Sequence, residues 1–189
     1  TLVNGFVGNE LQYFKHKEQR VRVIDCLPRE SLEKTKIGHT KDSETKIPLG
    51  VRDSQNSIVY YDCCGFKDSE GAGDEIQNIF YIQTLATGLK RAKVLLTIPE
   101  SKIVEGKKTE ILSQFEQVTK VFYNQDFLKS SLYLVITKGA EFVEKEDIQD
   151  IESRLQNLTE GHEIIREVVD ALVENKRIGL FPKPAREGP

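Results

Sequence analysis

Two short stretches, Val94–Ile98 and Leu132–Ile136, are almost wholly apolar. Runs this short and unbroken suit strands covered on both faces, as in a parallel sheet. Between them, Lys107–Phe122 repeats Ile111, Leu112, Phe115, Val118 and Val121 at helical spacing. After them, Glu144–Leu158 and Glu163–Val173 read as helices, and Ile178–Phe181 as a last short strand. Upstream, Glu75–Ala92 carries Ile76, Ile79, Phe80, Ile82, Leu85 and Leu89 on one helical side. Ile47–Val51 and Ile58–Asp62 flank the turn formers Asp53, Ser54, Gln55 and Asn56, which predicts a hairpin. Val21–Cys26 has strand character. Thr1–Phe14 reads as a helix, with Leu2, Val3, Phe6, Leu11 and Phe14 on one side. Pro28–Thr45 is polar and loop-like, and the segment Glu70–Asp74, with Gly71 and Gly73, reads as mobile.

Strand, helix, strand, helix, strand is the signature of an α/β fold. The expectation is a three-layer α/β/α domain, with a mostly parallel central sheet, one antiparallel hairpin strand and helices on both faces. Ligands of such sheets bind beyond the C-terminal ends of the strands, so the residues where strands stop hold the interest.

The Ile58–Tyr61 strand runs into Asp62-Cys63-Cys64-Gly65-Phe66. An Asp at a strand tip with Gly three residues on is an Asp-x-x-Gly motif. Its carboxylate suits a phosphate-bound magnesium, and its glycine lets a backbone N–H approach a terminal phosphate. The Leu132–Ile136 strand runs into Thr137-Lys138-Gly139-Ala140. A Thr/Asn-Lys-x-Asp segment in that place reads guanine, the Lys stem lying along the base and the Asp accepting from its N–H groups. Here Ala140 takes the Asp position and Glu141 is displaced by one. A loop threonine ahead of the hairpin, Thr45 or secondarily Thr40, is placed to give its hydroxyl to magnesium.

Composition narrows the classes. The 189 residues hold 27 Lys+Arg against 30 Asp+Glu, a formal charge of -3, which argues against a nucleic-acid binder. Apolar runs fall well short of the roughly 20 residues that cross a bilayer. The opening Thr1-Leu2-Val3-Asn4-Gly5 lacks the basic and apolar regions of a secretory signal, so the reading is cytoplasmic. Cys26, Cys63 and Cys64 form neither a disulfide framework nor a zinc spacing and read as small buried apolar residues. The sequon at Asn157-Leu158-Thr159 is read as silent. His16, His39 and His162 fall in unrelated segments.

Taken together, these segments resemble the P-loop GTPases, in the branch that includes septins and the immunity-associated GTPases, and especially related G-domain proteins of single-celled eukaryotes. The resemblance rests on Ile37-Gly38-His39-Thr40, Ser43-Glu44-Thr45, Asp62 through Asp68 and Leu134-Val135-Ile136-Thr137-Lys138. Thr1-Leu2-Val3-Asn4 also looks like the segment just after the Gly-Lys-Ser of the phosphate-binding loop. The resemblance implies one G domain over residues 1–189, beginning just after that loop. It implies GTP or GDP with Mg2+, the metal held by Thr45 and Asp62. Gly65 would sense the terminal phosphate, and Thr137 and Lys138 the base. The Gly71–Gly73 segment would move on hydrolysis. Partners implied are guanine nucleotide and a homodimer through the nucleotide face, or a larger assembly.

Three departures go with it. The chain contains no G-x-x-x-x-G-K-[ST]. Ala140 removes the guanine-reading carboxylate. Phe66 stands where efficient GTPases hold a Gln that orients water, so hydrolysis would be slow or partner-dependent. The alternative is a degenerate G domain acting as a structural or interaction module.

Overall fold

The computed structural model describes residues 11–15, 22–26, 47–53, 56–63, 65, 72–139 and 145–182. The chain forms two compact units, residues 1–84 with 184–189, and residues 85–183.

In the first unit, β1 (Leu11–Lys15) pairs antiparallel with β2 (Arg22–Cys26), Leu11 opposite Cys26. The strand predicted from Val21 is there. The helix predicted over Thr1–Phe14 is not, at least over its described part, because Leu11–Phe14 is strand. Leu11, Tyr13 and Phe14 suit a pleated surface, and the ladder to β2 satisfies backbone groups that a helix would have satisfied locally. A second pair, β3 (Leu49–Asp53) with β4 (Ile58–Asp62), is the predicted hairpin, with β3 two residues later than its predicted start. Asp53 joins the strand instead of the turn. Its buried carboxylate takes the Asn56 backbone N–H at 3.2 Å and the Asn56 side-chain N–H at 2.7 Å, and Ser57 closes the turn at φ 56°.

Helix α1 (Ala72–Gly88) starts three residues earlier than predicted and takes Gly73 into its first turn. The mobile segment expected over Gly71–Gly73 is therefore helical at Gly73, while Gly71 lies outside the described residues. Of the apolar side predicted for this helix, Ile76 and Phe80 are exposed.

The second unit is built on a parallel sheet in the order β5 (Val94–Pro99), β6 (Leu132–Gly139), β7 (Ile178–Pro182). Both apolar runs and the last short strand fall where the sequence put them. Between β5 and β6 lie α2 (Glu100–Val104), α3 (Lys108–Val121) and α4 (Gln125–Ser131). Between β6 and β7 lie α5 (Lys145–Leu158) and α6 (Glu163–Glu174). Asn124 starts α4 by accepting the Phe127 N–H on its side-chain oxygen at 2.9 Å.

Helices α2 to α6 share one side of this sheet. α2 packs on α3 and α5, and α6 packs on α3, α4 and α5. Two successive crossovers of the same hand, stepping in the same direction, must put their helices on one face. Burial agrees: Leu96, Ile98, Leu134 and Ile136 are buried beneath the helices, while Leu95 and Thr97 are exposed on the other face. Phe115, Ile103, Ile111, Leu128 and Leu155 complete the core.

Candidate functional site

The predicted site residues fall in both units. Asp62 ends β4 opposite Leu49 and is half-buried; Gly65 comes three residues later, exposed. The strand that presents Asp62 is largely exposed, with Ile58, Val59 and Tyr61 at 44%, 41% and 39%. What fixes its register is local. The Asp53–Asn56 turn sets one end, and Gly50 leaves room for the Tyr61 ring opposite, where an added Cβ would stand 3.1 Å from Tyr61 Cε1. Cys63 is half-buried, and its Sγ donates to the Tyr61 carbonyl at 3.8 Å.

Thr45 and Thr40 lie outside the described residues, as do Phe66, Ala140 and Glu141. Asp62 is therefore the described member of the expected magnesium pair. Among the described residues no group of three His, Cys, Asp or Glu could hold a metal. Magnesium in nucleotide sites commonly takes only one or two carboxylates, the remaining ligands being phosphate and water, so one strand-end Asp is chemically sufficient for the protein's share.

In the second unit, β6 runs past its predicted end at Ile136, and Thr137 and Lys138 are its last residues before Gly139. Thr137 is half-buried and in register with Pro99 of β5 and Phe181 of β7. The pairing with β7 slips between Thr137 and Gly139, so Lys138 occupies a bulge. Bulges are over-represented next to functional sites. The structure thus gathers Pro99, Thr137, Lys138 and Phe181 at the C-terminal edge of one parallel sheet. Pro99 and Phe181 were missed because register between strands distant in sequence leaves no local mark. Asp62 and Gly65 belong to the other unit and are brought together by chain adjacency alone.

No helix among the described residues is long and apolar enough to cross a membrane. No protein family, curated protein or solved structure matches this chain.

Proposed function

We propose that the chain is a guanine-nucleotide-binding domain of the P-loop GTPase class, a cytoplasmic switch or assembly module with slow or partner-dependent hydrolysis. The observation that carries the reading is the end of β6. A central parallel strand shifts its register against β7 at a bulge where Thr137-Lys138 stands, at the sheet edge where α/β folds bind ligands. The Asp-x-x-Gly at the end of β4 adds a second motif at a second strand end.

In this reading the Lys138 stem lies along the base, and Thr137 lines the base pocket. The Gly65 N–H meets the terminal phosphate. Asp62 and Thr45 are the groups that would hold Mg2+, which when bound neutralises charge developing on the phosphates. Phe66 supplies no hydrogen bond to an attacking water, which is why turnover is slow in the proposal. The domain is the three-layer form of the fold, and a second copy or a larger assembly meets its nucleotide face.

Ala140 favours a second reading, a degenerate domain that keeps the fold as an interaction module. A carboxylate that pairs with the base N–H groups is worth orders of magnitude in discrimination, and this chain lacks it at that position. Calorimetric titration of the protein, with whatever residues are encoded ahead of Thr1 retained, separates the two. The proposal expects Mg2+-dependent binding of GDP and GTP that Asp62→Ala abolishes. Unchanged affinity in Asp62→Ala defeats the metal site, and no binding of either nucleotide by the folded protein decides for the module.

A further inference from the structure

The three parallel strands of the second unit begin side by side, Val94 in register with Leu132 and Leu134 with Ile178. The residues leading into them are basic: Lys90, Arg91 and Lys93 before β5, Lys129 before β6, and Lys176 and Arg177 before β7. Contacts confirm that these strand starts converge. Lys93 Nζ donates to the Ser130 carbonyl at 3.3 Å and lies 5.3 Å from the centroid of the Tyr133 ring. The Arg177 guanidinium lies 5.5 Å from the same centroid, and its Nη1 donates to the Lys129 carbonyl at 2.6 Å.

Lys90, Arg91, Lys93 and Lys176 are exposed. Among the described residues, Lys129 alone of the six is ion-paired, to Glu167. Asp126 in the first turn of α4 and Glu174 in the last turn of α6 are the other acids these elements bring toward this edge. A positive excess remains, on a chain whose formal charge is -3. Two apolar groups accompany it. Leu89, next to Lys90, is 40% exposed, and Tyr123, on the connection that leads into β6, is 85% exposed.

We propose that this basic N-terminal edge of the sheet docks on an anionic phospholipid surface. The cations stand along a rim instead of lining a pocket, which suits a diffuse field of headgroups. Tyr123 is the amphipathic kind of side chain that sits at headgroup level. Nucleic acid fits less well, because single strands bind on free aromatic faces and the Tyr133 ring is already engaged by Lys93 and Arg177. The inference stands apart from the nucleotide reading, since it uses the opposite edge of the sheet.

Vesicle co-sedimentation tests it, with the chain incubated with phosphatidylcholine vesicles or with vesicles also containing phosphatidylserine. Binding is expected only to the serine-containing vesicles, and is expected to fall as salt shortens the screening length to about 8 Å at physiological strength. Each basic side chain near an anionic leaflet contributes roughly fivefold in partitioning. The triple variant Lys90→Gln/Arg91→Gln/Lys176→Gln should therefore bind roughly a hundredfold more weakly, with an unchanged urea midpoint as the check on folding. The salt dependence of the unaltered chain keeps the test decisive if that variant does not fold. Equal sedimentation with both vesicle types overturns the proposal. So does salt-independent binding, or capture by duplex DNA or an acidic peptide while vesicles stay free.

Discussion

Truncating Phe115 probes whether the helix layer of the second unit forms its core. Phe115 is fully buried on α3, within the stripe Ile111, Leu112, Phe115, Val118 and Val121. Burying a phenylalanine side chain removes about 150–200 Å² from water, which at about 25 cal/mol per Å² is roughly 4–5 kcal/mol. Alanine keeps only the first carbon of that side chain, and the cavity it leaves relaxes incompletely. Phe115→Ala should therefore cost about 3–5 kcal/mol, a large part of the stability of a small domain. Because the chain has six Tyr and no Trp, urea unfolding is followed by far-UV circular dichroism together with tyrosine emission. With a slope of roughly 1–3 kcal/mol per molar urea, the midpoint of the transition that reports on residues 85–183 should fall by about 2 M. Tyr123, two residues beyond the end of α3 and 85% exposed, is the internal control, and Tyr123→Ala should change the stability by less than about 0.5 kcal/mol. If Phe115→Ala is as mild as Tyr123→Ala, α3 does not pack on the sheet through this stripe.

Asn124→Ala removes the side-chain oxygen that accepts the Phe127 N–H at 2.9 Å, so it should cost about 1 kcal/mol in the same assay, with Asn124→Asp restoring most of it. The Lys129 ammonium is held above its ordinary value, first by its hydrogen bond to Glu167. Its contribution is therefore fully present below the unfolded pKa near 10.5 and is lost as pH rises through the raised folded value. Lys129→Ala should flatten the alkaline fall in melting temperature, and an unchanged alkaline limb contradicts the pairing. On the nucleotide reading, the chain should prefer guanine over adenine nucleotides weakly. Ala140→Asp should raise that preference by about tenfold or more by restoring acceptors for the base N–H groups, as competition with ADP would measure.

The second unit was legible because its signals are local and strong. Val94–Ile98 and Leu132–Ile136 have no amphipathic alternative, and the Ile111–Val121 stripe repeats for three turns. The helices α2 and α4, of 5 and 7 residues, are too short to show a period and were missed. Which side of the sheet α2 to α6 cover leaves no local mark in the sequence, because it depends on strand order, and β5-β6-β7 steps in one direction. In Leu11–Lys15 the helical spacing of apolar residues competed with strand propensity, and the partner strand Arg22–Cys26 decided it. Gly73 reads as a breaker in isolation, yet in the first turn of a 17-residue helix its roughly 1 kcal/mol penalty relative to alanine is easily carried by the rest.

The two strand ends that carry the motifs, each in its own unit, are held by different physics. At β6 a slip of one residue would turn Leu134 and Ile136, both fully buried, out to the opposite face. The core therefore fixes where Thr137 stands, and the bulge at Lys138 is a departure from an otherwise enforced register. At β4 Ile58, Val59 and Tyr61 are exposed, and the register is tied by the Asp53–Asn56 turn, by buried Val51 opposite Tyr60 and by the fit of Tyr61 over Gly50. A carboxylate at the end of a strand this exposed is less firmly placed for a metal than a residue at the end of buried β6. A ligand that needs Asp62 must then spend part of its binding free energy on ordering that hairpin, whereas one that needs only Thr137 meets a surface already built. Contacts at Asp62 are accordingly the ones whose strength should change with whatever else orders the hairpin, which is the property a nucleotide-dependent switch requires.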